Sequence, residues 1–493
     1  YQRLVITTSL FLLALIYAWI AIKNSRKKMY KLKTHSKKLL ADTLTPVSVY
    51  LRLRDRFPKC LLLESSDYHA NDNSFSYICC NPIASIKIAN EQITQQYPDG
   101  TSEILNIDNA TNVPKIIQQF SESFEADDSK AFKFINNGLF GYMSYDMVRY
   151  FEDIEITKKK GDLEIPDAYY AVYQNVIAIN HFNNEAYIFA HCYKSENNIE
   201  EMERLLTSKN FAEYPFAKNG APTTNLKDED FKELVIKCKA HCARGDVFQI
   251  VPSKRFSQKF TGDEFNVYRA LRSINPSPYL FYFDYGNFKI FGSSPEAQLV
   301  VSGDQAEIHP IAGTFKRTGN DEQDALLAKQ LSADEKENSE HVMLVDLARN
   351  DLSRHGSNVK VETYREVQFF SHVIHLVSKV TATKNKETAT MQVVADTFPA
   401  GTLSGAPKHN AMTLLEKYEN VNRDFYGGAI GFMDFKGNFN HAIIIRSFVS
   451  KNHTLHFQAG AGVVNDSDPE KELQEVYHKL GALQKALELA EEI

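Results

Sequence analysis

The chain has 493 residues, of which 43% are hydrophobic and 12% aromatic, so it is long enough to bury more than one domain's core. Its formal net charge is −6, with 56 basic and 62 acidic residues, and no basic cluster alternates with aromatic residues beyond the N-terminus. This balance argues against a nucleic-acid partner. The six cysteines show no CxxC spacing, which predicts reduced, structural thiols in a cytoplasmic enzyme.

The N-terminus carries an uncharged apolar run at residues 4–22, LVITTSLFLLALIYAWIAI, followed by Lys23, Arg26, Lys27 and Lys28. At about 1.5 Å per helical residue, this run is long enough to span a bilayer. It is interpreted either as a membrane anchor or, since the first methionine is Met29, as extraneous sequence covering residues 1–28. Membrane contact is expected only in the first case.

Residues 29–220 alternate apolar and polar side chains in stretches such as SYICCNPIASIKI and AYYAVYQNVIAIN. This period of two predicts a domain of antiparallel strands with little helix. The stretch FAKNGAPTTNLKDED contains Gly220 and Pro222 and is the predicted linker to a second domain at 221–493.

The second domain begins with a predicted helix from Asp228 to about Arg244, and strands then outnumber the helices between them. A closing helix is predicted from Pro469, with Ser467 or Asp468 as its N-cap. The abundance of strands favours an antiparallel α+β fold over a doubly wound parallel sheet.

Two predicted helices each carry a pair of glutamates three residues apart, Glu337 with Glu340 and Glu472 with Glu475. Residues at this spacing share one helix face. Oxygen ligands of this kind suit Mg²⁺, which also accepts anionic substrate oxygens. The alternative, left open by spacing alone, is that both pairs are solvated helix faces.

Three glycine-rich stretches lie between these helices or near them: PIAGTFKRTG with Gly313 and Thr314, PAGTLSGAPK with Thr402, and QAGAGVV with Gly460 and Gly462. They are predicted to be tight turns whose backbone N–H groups bind carboxylates. Ordinary turn chemistry is the alternative, since none matches a Walker loop or a dinucleotide fingerprint. Arg446 and Lys479 are candidate cations for the same substrate.

In order, the motifs HPIAGTFKRTG, SEHVMLVDLARNDLSR, VIHLVSKV, FPAGTLSGAPK, YGGAIGF and QAGAGVVNDSDPEKELQE resemble those of the chorismate-utilising enzymes. The resemblance is greatest to the large subunits of anthranilate synthases and extends from about Leu44 to the C-terminus. It implies the fold of that family, with a β-rich N-terminal regulatory domain and a chorismate-binding catalytic domain.

The resemblance also implies roles for individual residues. Glu296 in GSSPEAQ would be the general acid for the departing 4-hydroxyl, and His375 would assist proton transfer or position the substrate. The two glutamate pairs would hold Mg²⁺. The implied substrate-binding residues are Gly313, Thr314, Thr402, Tyr426, Arg446, Gly460, Gly462 and Lys479.

Two positions bear on the reaction. The resemblance implies that relatives that add water, the isochorismate and salicylate synthases, carry a lysine at the position of Gln249. Aminodeoxychorismate synthases typically carry a lysine at the position of Ala312. With neither lysine present, the resemblance implies attack by ammonia and release of anthranilate. Aminodeoxychorismate synthase and isochorismate or salicylate synthase are the alternative activities. A membrane-tethered amino-acid sensor without catalysis is the alternative from another class.

The chain contains no cysteine nucleophile motif of a glutamine amidotransferase, so a separate subunit is implied as the source of ammonia. Feedback inhibition by tryptophan is implied by two further motifs, LLLESS and NPSPYLF. The corresponding inhibitor-binding residues are Leu63, Glu64, Ser65, Asn275, Pro278 and Tyr279.

Overall fold

A computed structural model describes residues 28–65, 74–127, 132–370 and 373–493. The apolar run at residues 4–22 lies outside these ranges, so its role as an anchor stays a prediction. Within them, no helix combines the length and apolar character needed to cross a bilayer.

Strands supply most of the framework. In chain order they are β1 (Tyr30–Leu40), β2 (Leu61–Glu64), β3 (Phe75–Ala89), β4 (Gln92–Gln96), β5 (Ser102–Asn106), β6 (Phe124–Asp127), β7 (Leu139–Met143), β8 (Ala168–Asn180), β9 (Glu185–Cys192), β10 (Phe216–Thr224), β11 (Gln249–Ile250), β12 (Ser253–Gly262), β13 (Tyr279–Asp284), β14 (Phe288–Ser294), β15 (Ala297–Ser302), β16 (Gln305–Ile308), β17 (Ile311–Lys316), β18 (Gly356–Phe369), β19 (Val373–Lys384), β20 (Gly405–Ala406), β21 (Ala429–Met433), β22 (Phe439–Ile443), β23 (Ser447–Lys451) and β24 (Thr454–Gly460).

Helices cover the sheet faces. They are α1 (Pro46–Arg54), α2 (Val113–Ser121), α3 (Ile199–Thr207), α4 (Asp228–Arg244), α5 (Phe265–Ile274), α6 (Asp321–Ala333), α7 (Glu335–Ser353), α8 (Thr390–Thr397), α9 (Gly401–Ser404), α10 (Lys408–Tyr418) and α11 (Pro469–Leu489), with a 3₁₀ helix at Tyr145–Tyr150.

The strands pair almost entirely antiparallel. One continuous sheet runs in the order β10-β12-β24-β23-β14-β13-β2-β3-β8-β7-β21-β22-β15-β16-β19, and β17 and β18 also pair with β19. Among the named strands of the described chain, only β1 and β6 pair in parallel. The antiparallel α+β class predicted from the sequence is confirmed.

Strands from the N-terminal half lie in the middle of this sheet. Leu63 of β2 pairs with Phe281 of β13, and Gly141 of β7 pairs with Gly431 of β21. The strands β2, β3, β8 and β7 therefore bridge two groups of strands that come from the C-terminal half.

The stretch predicted to be an interdomain linker is instead a strand. Residues Phe216–Thr224 form β10, which pairs with β12 at the edge of the sheet. The register shifts between Asn219 and Thr223, so Gly220 and Pro222 occupy a bulge, where an edge strand tolerates both residues. The linker interpretation was wrong, and the division of the chain near residue 220 stays a prediction.

The two glutamate-bearing helices begin where capping chemistry places them. The Asp334 side chain accepts from the Glu337 N–H at 3.0 Å to start α7, and Asp468 accepts from the Lys471 N–H at 2.9 Å to start α11. Asp468, and not Ser467, is therefore the N-cap of the predicted closing helix. Pro469 follows at its first position, as predicted.

Helix α11 packs against α4, α5 and β24. It buries Val476, Leu480 and Leu483, which recur at the three- and four-residue spacing of one helix face. At roughly 1.5–3 kcal/mol for each buried side chain, this face fixes the rotation of the helix. The direction in which Glu472 and Glu475 point is therefore set by the core.

Candidate active site

Glu296 lies between β14 and β15 and is 9% exposed. The hydroxyl of Thr402 donates a 3.2 Å hydrogen bond to its Oε1. Burial raises the pKa of Glu296 to about 8, although Thr402 and the charges of Arg446 and Lys479 act in the opposite direction. The carboxyl is therefore protonated at neutral pH and is able to donate a proton.

His375 lies on β19 opposite Thr314 of β17. Its Nδ1 is 3.0 Å from the carbonyl oxygen of Gly313, and because a carbonyl only accepts, Nδ1 must carry the hydrogen. Burial lowers the pKa of His375 to about 4, and the charge of Arg446 lowers it further. The ring is neutral, and its Nε2 is the accepting nitrogen.

Gly313 does not lie in a turn, as the sequence had suggested, but within β17. The register of β17 against β19 shifts between Ala312 and Thr314, and Gly313 has a φ of +70° at this bulge. A Cβ at Gly313 would lie 2.8 Å from Leu331 Cδ1 and 3.2 Å from Glu337 Oε2. Glycine suits this position because of its positive φ and because Leu331 and Glu337 leave no room for a Cβ.

Glu340, the second member of the predicted glutamate pair on α7, is held by a side chain that is distant in sequence. Nε2 of Gln249 donates a 2.9 Å hydrogen bond to Oε1 of Glu340. A Cβ built at Gly462 would lie 2.6 Å from Gln249 Nε2 and 3.7 Å from Glu340 Oε1. The glycine segment after β24 therefore passes directly over this pair.

Helix α11 contacts the same glycine segment through Lys479. Nζ of Lys479 pairs with Oε1 of Glu475 at 2.7 Å and donates to the carbonyl oxygen of Gly460 at 2.9 Å. The hydroxyl of Tyr426 hydrogen bonds with the Gly460 backbone, and burial raises the pKa of Tyr426 above its usual range. Glu472, one turn before Glu475, is buried.

Thr402 lies in α9, a single helical turn, and not in the predicted loop turn. Arg446 follows β22 with a φ of +50°, and its carbonyl oxygen accepts from the Ser293 N–H at 3.1 Å. Burial lowers the pKa of Arg446, and the nearby Glu296 opposes that shift. Of the predicted substrate-binding residues, Thr402, Arg446 and Lys479 thus lie near the Glu296 carboxyl.

The structure does not bring the four predicted glutamates, Glu337, Glu340, Glu472 and Glu475, together as one cluster of metal ligands within the described residues. Within the described ranges, no three His, Cys, Asp or Glu side chains lie close enough together to hold a metal by themselves. Glu340 lies close to Gly462, and Glu475 is joined to the Gly460 carbonyl through Lys479. Mg²⁺ usually binds one or two carboxylates and fills its remaining positions with water and substrate oxygens. The carboxylate chemistry therefore suits Mg²⁺.

The family of the chain follows from comparison with known proteins. The sequence profile described as chorismate binding enzyme matches residues 58–485. The chain belongs to this family. It is 36% identical to anthranilate synthase component 1 of Aquifex aeolicus over 92% of this chain and 94% of the relative. It is 37% identical to the Lactococcus lactis protein of the same name, over 91% of this chain and 98% of the relative.

Solved structures of chorismate-binding enzymes share the fold. Anthranilate synthase component I of Streptococcus pneumoniae superposes with a TM-score of 0.73 at 31% identity, covering 90% of this chain and 98% of that one. A menaquinone-specific isochorismate synthase of Escherichia coli superposes with a TM-score of 0.68 over 96% of this chain and 99% of that one. At 16% identity, the second likeness shows the fold alone.

One buried residue beside the candidate site was missed by sequence reasoning. Arg423 is buried, and it pairs with Glu419 through contacts of 2.7 and 2.8 Å. It donates at 2.6 Å to the carbonyl oxygens of Leu403 and Val251, and its guanidinium lies over the Tyr426 ring. An arginine beside aromatic residues in NRDFYGG was the available signal, but its partners are distant in sequence.

The predicted inhibitor-binding residues come together at the junction of β2 and β13. Glu64 is opposite Leu280, its Oε1 accepts from Tyr268 at 2.5 Å, and Arg272 Nε donates to it at 2.9 Å. Leu63 and Ser65 flank Glu64 on this segment. Asn275 and Pro278 lie between α5 and β13, and Tyr279 begins β13.

Proposed function

We propose that the protein is the chorismate-binding component of an anthranilate synthase. It would aminate chorismate with ammonia and then eliminate pyruvate to give anthranilate. The sequence identity to the relatives from Aquifex aeolicus and Lactococcus lactis, and the large share of each chain that aligns, support this activity. The observation that carries the chemistry is the buried Glu296 carboxyl, which is protonated at neutral pH and lies beside two cations.

Chorismate is a dicarboxylate, and the cations around Glu296 match its charge. Arg446 and Lys479 would bind its carboxylates, and the backbone N–H groups of Gly460 and Gly462 are proposed as further donors. Glu296 then donates its proton to the 4-hydroxyl, which leaves as water. Preorganised charge in a buried site stabilises the transition state of this step.

His375 acts as a hydrogen-bond acceptor on the same face of the site. The Gly313 carbonyl fixes its tautomer, so Nε2 is able to orient a donor or to accept a proton during the loss of the enolpyruvyl group. Thr402 holds the Glu296 carboxyl through its hydroxyl.

Mg²⁺ would be held by one or two carboxylates drawn from the pairs Glu337 with Glu340 and Glu472 with Glu475, because no three acidic side chains of the described residues lie together. The ion supplies positive charge that neutralises a substrate carboxylate. Gln249 orients Glu340 toward this position through its amide.

The nucleophile is ammonia because two alternatives lack the necessary group. Gln249 has no basic form with which to deprotonate water, and Ala312 has no amine to attack the ring. We propose a separate glutamine amidotransferase subunit as the source of ammonia. These residues favour anthranilate over isochorismate or aminodeoxychorismate.

We further propose tryptophan as a feedback inhibitor bound at Glu64 and Tyr279. Tyr279 of β13 pairs with Ser294 of β14, two residues before Glu296. Ser293 also joins the two segments, because its hydroxyl donates to the Asn275 carbonyl and its N–H donates to that of Arg446. A ligand that shifts β13 would therefore act on both Glu296 and Arg446.

The test is an assay of the purified chain with chorismate, Mg²⁺ and an ammonium salt. Fluorescent anthranilate and pyruvate should form in equal amounts without any added lyase. The Glu296→Gln variant is the control, because it keeps the shape of the site and loses the proton. Formation of isochorismate, or of aminodeoxychorismate that needs a lyase to release its product, would overturn the proposal.

A further inference from the structure

A small, partly open cavity lies against Glu296 and extends toward α7. Its volume is about 30 Å³, and its polar wall consists of Glu296, Gln298, Asp351, Thr397 and Thr402. The remaining wall is apolar and includes Leu344 and Leu347 of α7. The Glu296 carboxyl therefore forms part of the wall of this cavity.

Gln298 presents an unsatisfied acceptor in this region. Its Nε2 donates to Thr397 Oγ1 at 3.1 Å, while its buried Oε1 has no hydrogen-bond partner among the residues that the structure describes. A buried acceptor in this state costs about 1–3 kcal/mol. A cavity holds a water molecule once its volume exceeds about 10–15 Å³ and polar partners are present. Both conditions are met, so a water is the natural donor to Gln298.

Asp351 lies at the other end of the polar wall. Its Oδ2 accepts from Lys408 Nζ at 2.6 Å, and Lys408 also donates to the Thr397 carbonyl at 3.0 Å. Burial raises the pKa of Asp351 to about 6 despite the Lys408 charge. Arg354, which is exposed and pairs with Glu152, connects this corner to the protein surface.

We propose that this cavity holds water that hydrogen bonds to Gln298, and that Glu296 is reprotonated through it from Asp351. The inference rests on the proposed function, because it takes Glu296 as the general acid. In the first step the Glu296 O–H bond breaks and an O–H bond forms on the leaving hydroxyl. A cavity water then gives a proton to the Glu296 carboxylate and takes one from Asp351, which regains it from solvent.

In this route Gln298 and Asp351 have different tasks. The cavity borders the Glu296 carboxyl beside Gln298, and Asp351 lies in the same cavity wall. Gln298 is therefore a positioning residue, since it holds the water that carries the proton. Asp351 is the group that passes protons between solvent and this water.

The variant that tests the route is Gln298→Met, which keeps the side-chain length and removes the acceptor. We expect kcat to fall about 10-fold, while kcat/KM for chorismate changes less than 2-fold, because the first proton is already loaded in the free enzyme. The solvent deuterium isotope effect on kcat should rise. Gln392→Met is the matched control, because Gln392 bonds to Asp396 and does not line the cavity.

A second variant and one structural measurement complete the test. Asp351→Asn should show the same fall in kcat, and a high-resolution crystal structure of the unmodified protein should show a water within hydrogen-bond distance of Gln298 Oε1. A dry cavity, or normal kcat and isotope effects in both folded variants, would overturn the route. Absence of anthranilate formation by the unmodified protein would instead overturn the proposed function, whatever the cavity contains.

Discussion

Gln249 and Glu340 are joined by a 2.9 Å hydrogen bond from Nε2 to Oε1, although they are 91 positions apart in the chain. Gln249 belongs to β11, and Glu340 lies on the second turn of α7. The same side chain that cannot serve as a base toward water thus fixes the orientation of a proposed Mg²⁺ ligand. The Gln249 amide is therefore proposed to affect both the choice of nucleophile and the binding of Mg²⁺.

Replacing Gln249 by leucine should weaken Mg²⁺ binding. The Glu340 carboxylate would lose its orienting donor, and loss of such a partner typically lowers metal affinity or activity about 10- to 100-fold. Mg²⁺ titration by calorimetry, beside the Mg²⁺ dependence of ammonia-driven activity, measures the effect. Gln258→Leu is the control, since Gln258 is equally buried but bonds to Asn219 and Gly220 at the sheet edge. Equal Mg²⁺ affinity in both variants would contradict the prediction.

Replacing Glu296 by glutamine should lower kcat about 10²- to 10⁴-fold, the usual contribution of a general acid. Because the pKa of Glu296 is about 8, the protonated, active form is lost above that pH. The kcat/KM of the unmodified protein for chorismate should therefore fall as pH rises through about 8, because kcat/KM reports the ionisations of the free enzyme. The residual activity of the Glu296→Gln variant should not show this fall at high pH. If both proteins show the same fall, a group other than Glu296 is responsible.

The same substitution should stabilise the protein in alkaline solution. The folded state raises the pKa of Glu296 from 4.5 to about 8, so it binds this proton more tightly than the unfolded chain does. Stability from this group is present below pH 4.5 and is lost as pH rises through 8. Calorimetry should show a higher Tm for Glu296→Gln at pH 9 and no difference near pH 4. A variant that is less stable at pH 9 would contradict the burial argument.

Local sequence predicted the elements and their starting points better than it predicted the contacts between them. Asp468 and Pro469 mark the start of α11 because capping depends on neighbouring residues alone. The bulge at Gly313 depends on packing against Glu337, which propensities do not encode. For the same reason, the bonds from Gln249 to Glu340 and from Arg423 to Leu403 were not foreseen.

Replacing Arg423 by methionine should destabilise the fold by about 3–5 kcal/mol, because Glu419 would be left charged and unpaired in the interior. The double variant Arg423→Met with Glu419→Leu should recover part of that loss. Urea unfolding measures both values. If the single and double variants lose the same stability, the ion pair is not the source of the effect.

Replacing Glu64 by glutamine should weaken inhibition by tryptophan. The change removes the charge that Arg272 and Tyr268 contact, and it disturbs the junction of β2 and β13. We expect the tryptophan concentration for half inhibition to rise about 10-fold, as loss of a charged hydrogen bond of about 1.4 kcal/mol would give. Dose–response curves of ammonia-driven activity provide the measurement.

The control for tryptophan inhibition is Glu103→Gln, a substitution on the exposed strand β5. Its half-inhibition value should match that of the unmodified protein. A Glu64→Gln variant with unchanged sensitivity would place the inhibitor elsewhere.

The threading of β2, β3, β8 and β7 between two groups of C-terminal strands restricts how such a protein evolves. Removing them would expose the hydrogen-bonding edges of β13 and β21, which are aggregation-prone surfaces. We therefore expect that recombination does not readily replace one half of the chain with an unrelated domain. Sensitivity to an effector would then change mainly by point substitution.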